Sequence, residues 1–229
     1  MDKDGRLQLP SARKQRILKK RKSRRGLYIL GAVVVIVTLA GVGWYLYASA
    51  QSAALNAVVY AKLNTTQGLI EVELYQGRTP KTVSNFVSLA QTGFYNQLVW
   101  HRIATNPFVI QTGDPNTRNG GGNRTYVAGE CCYWGSGGSS QTVPLEIDSS
   151  LHNVAGTLGM ARGSDKNSGT SQFYINIGDN TSLDGQYTVF GKIISGMDSA
   201  TAISRLHVSN EQPLDPLPFL RNVTISNTA

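Results

Sequence analysis

Residues Val99 to Pro115 read VWHRIATNPFVIQTGDP. His101, Arg102 and Gln111 sit in a strand-forming apolar run with no cysteine and no carboxylate between Val99 and Thr112. A side-chain nucleophile needs a base beside an activated oxygen or sulfur, and a metal site needs converging His, Cys, Asp or Glu. This run offers neither, so its guanidinium and amide suit chemistry done by hydrogen bonding alone. The wider sequence agrees: it has no G-x-S-x-G, no Walker A and no H-E-x-x-H motif,. His101, His152 and His207 stand at no ligand spacing, so no metal or cofactor is expected.

The elements that would carry these residues begin near Val58. VVYAKLNTTQGLIEVELYQG alternates on both sides of Thr66-Gln67-Gly68, with Ile70, Val72 and Leu74 against Glu71 and Glu73, which predicts a hairpin,. TPKTVSNFVSLAQTGFY predicts a helix with Thr79 as N-cap and Pro80 at its first position,. Val83, Phe86, Val87 and Ala90 would form its apolar stripe, and Gly93 its stop. Strands are expected over Val99–Ile103, Phe108–Thr112, Gly156–Ala161, Gln172–Ile177, Thr188–Ile193 and Phe219–Asn227, with a second helix over Met197–Arg205. Many short strands, Gly-rich turns and two helices predict a mainly β fold, a closed antiparallel barrel. A long polar, Gly-rich passage follows Pro115, of a length that loops reach when they serve function or move.

The N-terminal part differs. Its first 25 residues hold 11 of the 22 Lys and Arg, a net +9, and leave −1 on the remainder. The pI of about 9.6 therefore belongs to a tail and is no argument for nucleic-acid binding. Leu27 to Ser49 follows without one charge, long enough to cross a hydrocarbon core of about 30 Å. The expected organisation is a basic cytoplasmic tail over 1–26, a transmembrane helix over 27–49, a linker over 50–57 and a folded domain over 58–229. The positive-inside rule places the domain outside the cell membrane. A cleaved signal peptide is the alternative, since Ala48-Ser49-Ala50 fits a small-x-small site,. Sequons at Asn64, Asn123, Asn180 and Asn222 are permissive for glycosylation of an exported chain,. Adjacent Cys131 and Cys132 leave a vicinal disulfide, free thiols and interchain links all open,.

Five blocks in order, GFYNQLVWHRI, PFVIQTGDP, GTLGMAR, SGTSQFYINIGDN and LDGQYTVFGKIISGMD, resemble the cyclophilins, peptidyl-prolyl cis-trans isomerases. The resemblance runs from about Tyr60 to Ile225 and is nearer bacterial-type members in the spacing from Met160 to Gln172. It implies an eight-stranded barrel capped by two helices, preceded here by one transmembrane helix. It implies Arg102 as the catalytic donor to the prolyl nitrogen and His101 as a positioning neighbour. Phe108, Val109, Tyr174 and Leu183 match the positions that hold the proline ring. Gln111 and Gln172 match the groups that orient the adjoining peptide, and Ala161 with Arg162 match the segment offering backbone hydrogen bonds. Gly120 and Gly163 would line the groove, with Tyr187 at the rim. Partners implied are Pro-containing polypeptides, isomerised to assist folding of exported or membrane proteins; the rival is a catalytically weak binding module or holdase. The sequence departs from the family at Tyr174 for phenylalanine, Val109 for methionine and Ser182 for the tryptophan that many members use on cyclosporin, so cyclosporin binding is expected to be weak. An extra residue also lies between Arg102 and Phe108.

Overall fold

The computed structural model describes residues 12–55, 58–122 and 133–227. Asn123, Cys131 and Cys132 lie outside them. The chain forms two compact units, residues 1–54 and 55–229.

The described residues of the first unit form one helix, α1 (Ala12–Leu55). It contains the apolar stretch Tyr28–Ser49, with mean hydropathy 2.3 and none of its side chains buried. The helix begins within the basic tail and continues through most of the stretch expected as a linker. That stretch, AQSAALNA, has no glycine or proline to stop it,.

In the second unit, β1 (Val59–Thr65) and β2 (Gly68–Leu74) form the expected hairpin. Ile70, Val72 and Leu74 are buried, while Glu71 and Glu73 meet Lys62 and Lys192 at 2.9 and 3.3 Å. Gly68 has φ +123°, which a side chain rarely adopts,. Helix α2 (Pro80–Gln91) buries Val83, Phe86 and Ala90 as its spacing predicts. Thr79 precedes it, yet its side chain makes no cap bond. Glu146, far along the chain, does that work: its carboxylate accepts from the amides of Lys81 and Thr82 at 3.1 and 2.8 Å. A negative group suits the free amides and dipole of a helix N-terminus.

The remaining strands are β3 (Leu98–Val99), β4 (Arg102–Thr105), β5 (Phe108–Thr112), β6 (Thr157–Met160), β7 (Phe173–Asn176) and β8 (Val189–Ser195), followed by helix α3 (Met197–Ser204). Then come β9 (Val208–Ser209), β10 (Gln212–Pro213) and β11 (Phe219–Ser226). The main sheet has the order β3-β11-β1-β2-β8-β6-β7-β5-β4, antiparallel throughout. Its two edges, β3 and β4, are consecutive in the chain and separated only by Trp100 and His101. One segment therefore pairs with β11 at its start and with β5 at its end. That closes the sheet, and β3 with β4 counts as one of eight barrel strands. The single strand expected over Val99–Ile103 is split here because the segment changes partner.

Phe86, Tyr95, Trp100, Phe173 and Phe190 fill the barrel, with ring centroids 5.1 to 6.3 Å apart. Each of these rings is fully buried, worth roughly 1.5–3 kcal/mol for a phenylalanine-sized side chain. A second, smaller apolar cluster, Ala104, Val109 and Tyr174 with Ala161, Leu183 and Tyr187 against it, is separate from that core.

Candidate active site

The site is a row written by strand register. Arg102 on β4 pairs with Gln111 on β5, Gln111 pairs with Tyr174 on β7, and Tyr174 pairs with Gly159 on β6. Since side chains alternate along a strand, the neighbours on the same face are Ala104 and Val109, which pair with each other. A cavity of about 160 Å³ opens on this face, lined by Arg102, Pro107, Val109, Gln111, Ala161, Arg162, Tyr174, Leu183 and Tyr187.

Arg102 is half-buried and held on two sides. Its Nε donates to Glu211 Oε2 at 2.7 Å, and Nη1 donates to Gln111 Oε1 at 3.4 Å. From there the polarity is fixed. A guanidinium only donates, so Gln111 turns its oxygen to Arg102 and its Nε2 donates to Gln172 Oε1 at 2.8 Å. Gln172 Nε2 in turn donates to the carbonyls of Gly135 and Gly137, at 2.9 and 2.7 Å. The same loop is tied from its other side by buried Asp114, which accepts from the amides of Gly135 and Gly137 at 2.6 and 3.2 Å. A second cavity of about 430 Å³ lies between this loop and the Ala161–Arg162–Gly163 ridge, with Gln111 and Gln172 in its wall.

Tyr174 brings a hydroxyl to the wall of the smaller cavity, and that hydroxyl donates to Asn153 Oδ1 at 2.7 Å. Burial pushes the phenol well above its ordinary pKa, so it stays a donor. Asn153 is itself fully buried and anchored, its Nδ2 donating to Asp184 Oδ1 at 3.0 Å. Asp184 Oδ2 stands 2.8 Å from His152 Nδ1. The tyrosine has room because β6 carries Gly159 opposite: a Cβ there would overlap its ring. Tyr187 meets Tyr174 edge-on at 6.0 Å, and the Arg162 guanidinium lies 4.7 Å from the centre of the Tyr187 ring, a cation–π geometry. Arg162 Nε also donates to the Gln186 carbonyl at 3.0 Å.

Eight of the residues expected at the site, Arg102, Val109, Gln111, Ala161, Arg162, Tyr174, Leu183 and Tyr187, meet around the smaller cavity. Gln172 and Gly163 line the larger one. Three stand apart. His101 is buried, and among the described residues neither ring nitrogen has a hydrogen-bond partner of normal geometry. Burial lowers its pKa to about 4, so it is neutral at pH 7. Phe108 is 36% exposed beside Gly178, and Pro107 lines the cavity in its place. Gly120, with φ +75°, sits near Leu217 and Phe219 rather than in either cavity.

The residues that sequence reasoning passed over are Pro107, Asn153, Gly159, Asn180 and Glu211. Asn180 is nearly buried. Its Oδ1 accepts from the Phe108 amide at 2.9 Å, and its Nδ2 donates to the Phe108 carbonyl and to Asn176 Oδ1 at 3.0 and 2.7 Å. That amide clamps the start of β5, and a nitrogen so engaged is no glycan acceptor.

Comparison with known proteins identifies the family. A family model described as cyclophilin type peptidyl-prolyl cis-trans isomerase/CLD matches residues 60–227. Peptidyl-prolyl cis-trans isomerase-like 1 of Emericella nidulans is 39% identical over 160 residues, 69% of this chain and 90% of that protein. Peptidyl-prolyl cis-trans isomerase A of Dickeya dadantii is 35% identical over 195 residues, covering 83% and 90%. Among solved structures, a cyclophilin type isomerase of Cryptosporidium parvum, crystallised in the presence of the dipeptide Ala-Pro, superposes with a TM-score of 0.60 at 25% identity, covering 73% of this chain and 98% of that one. Fungal and bacterial proteins thus stand side by side among the relatives. The chain belongs to the cyclophilin-type peptidyl-prolyl cis-trans isomerase family.

Proposed function

We propose that this isomerase is held at a membrane by Tyr28–Ser49 and acts outside the cytoplasm on exported chains, with Arg102 as its transition-state donor. Rotation about X-Pro meets a barrier of about 18–20 kcal/mol because the amide must give up its resonance. The cis and trans forms themselves differ by only about 0.5–1 kcal/mol. No bond is made or broken, so only preferential binding of the twisted amide accelerates the step. As the C–N bond twists, the prolyl nitrogen recovers a lone pair, and a fixed N–H beside it gains an acceptor that neither planar form offers.

The observation that carries this reading is the position of Arg102. Among the described residues it is the one cation that β4 and β5 bring to the 160 Å³ cavity, whose apolar wall includes Val109, Leu183 and Tyr174. The pyrrolidine ring would lie on that wall, with its nitrogen toward the guanidinium. The dipeptide Ala-Pro, present with the Cryptosporidium relative, is a suitable small probe for testing that seat. Residues flanking proline would cross the Ala161–Arg162 ridge, with Gln111, Gln172 and Gly163 toward the larger cavity. The spacing from Met160 to Gln172 supports placing the chain with bacterial-type members. Ser182, exposed on the turn Thr181–Leu183, offers no indole to cyclosporin, so that drug should bind weakly.

Anchoring and orientation rest on an exposed apolar helix long enough to cross a bilayer behind eleven basic residues,. Protease added to intact cells should remove the isomerase domain and spare a tag at residue 1. Digestion of the domain only after lysis would overturn the topology, and recovery of a chain beginning near Gln51 would show a cleaved signal instead.

A further inference from the structure

Glu211 has no counterpart among the residues expected at the site, yet it is the group nearest the arginine's Nε. It lies in a tight hairpin. Ser209 on β9 pairs with Gln212 on β10, which leaves Asn210 and Glu211 as the two turn residues. Their φ values are +50° and +63°. Two-residue hairpin turns with both φ positive favour Asn followed by Gly. Asn210 conforms and Glu211 does not, so the chain carries a glutamate where backbone conformation favours glycine. Such an outlier points to a role for the side chain.

Stability is a poor candidate for that role, because the Glu211 and Arg102 side chains are 45% and 34% exposed and exposed pairs contribute little. The geometry supplies a better one. The Glu211 carbonyl accepts from the Ile103 amide at 2.6 Å, which docks the turn on the free edge of β4. Its carboxylate then reaches back to Arg102 Nε at 2.7 Å. The residue thus grips both the backbone and the side chain of the strand that bears the arginine. An acceptor at Nε restrains the plane of the guanidinium, whose Nη1 reaches Gln111 in the cavity wall.

We infer that Glu211 is a positioning residue for isomerisation: it orients the Arg102 guanidinium while touching no substrate. This rests on Arg102 being the transition-state donor. The test uses the full chain purified in detergent, with kcat and KM measured separately on an X-Pro peptide. Glu211→Gly removes the carboxylate and relieves the positive φ, so thermal stability should hold or rise. Turnover should nonetheless fall about ten-fold with KM changed less than about two-fold, since misplacing a catalytic group by about 1 Å can cost up to 10². Glu211→Gln keeps shape and a neutral acceptor and should fall in between. In nitrogen-15 spectra the Arg102 Nε–H signal should be protected from exchange in the parent and lose that protection in Glu211→Gly. Arg102→Ala/Glu211→Gly should be no slower than Arg102→Ala alone, because the two act as one unit. If Arg102→Ala abolishes turnover while Glu211→Gly keeps it, this inference fails and the catalytic assignment stands. If Arg102→Ala itself retains turnover, both fail.

Discussion

Replacing Arg102 by alanine isolates the proposed chemistry from the fold. The guanidinium has five N–H groups, of which Glu211 and Gln111 engage one each. The others remain for a prolyl nitrogen. Removing one preorganised transition-state donor costs about 2.7–4 kcal/mol, and each 1.36 kcal/mol is tenfold. Arg102→Ala should therefore lower kcat/KM by roughly 10² to 10³. The cost in stability should be small, because the lost ion pair is half-exposed and such pairs contribute about 0.2–1 kcal/mol. Peptide affinity should also change little, since the planar amide keeps its lone pair in resonance and gives the guanidinium nothing to bind. Arg102→Lys should recover part of the rate at most: an ammonium cannot hold Glu211 and Gln111 in one plane while presenting further donors. The assay is isomerisation of a Pro peptide at limiting and saturating concentration, with circular dichroism to confirm folding. A folded Arg102→Ala protein with near-parental turnover would refute the mechanism and favour a binding module that grips proline without turning it over.

Gly159→Ala should push the Tyr174 ring toward the cavity, destabilise the domain by roughly 1–3 kcal/mol as overpacking does, and raise KM more than it lowers kcat. Urea denaturation and peptide titration check this, and a variant with unchanged affinity would show that Tyr174 does not floor the proline seat. His101 gives a pH prediction. Its folded pKa of about 4 lies below the ordinary 6.5, so between these values the unfolded chain binds a proton that the native state excludes. Stability should be unaffected above about pH 6.5 and should decline, by about 3 kcal/mol in all, as pH falls to about 4. His101→Phe should flatten that slope in urea midpoints measured from pH 4.5 to 7.5; an unchanged slope would assign it to other groups.

The parts of the site legible in the sequence are those carried by short contiguous blocks. Arg102, Gln111 and Tyr174 each stand inside a strand whose alternation already separates core from outer face, so their common face follows once the strands are paired. Glu211 is 109 residues from Arg102, and Glu146 is 64 from the helix amide it caps. No periodicity links such pairs, and only closure of the barrel brings them together. Asn153 escaped notice for a related reason: the hydroxyl of Tyr174 demanded a partner, but the sequence around Asn153 forms no regular element that would aim one. For Phe108 the motif position is legible in the sequence and the orientation of the side chain is not. Val109 and Gln111 share the cavity face of β5, and strict alternation leaves Phe108 off it.

The extra residue between Arg102 and Phe108 tests how firmly register determines chemistry here. A one-residue slip in a strand pair sends every side chain to the other face, and would carry Arg102 or Gln111 into the barrel core. The pairing instead runs unbroken from Arg102↔Gln111 to Thr105↔Phe108. That leaves Asn106-Pro107 as a two-residue connection outside the ladder. Pro107 lies in the cavity wall, so this connection shapes the seat while Arg102 stays in the ladder. The register is held from both ends of β4, by the Asn180 clamp on Phe108 across the turn and by the Glu211 carbonyl on Ile103. The ladder thus fixes Arg102, Gln111 and Tyr174 in one row, while the connection beside it sets part of the cavity wall.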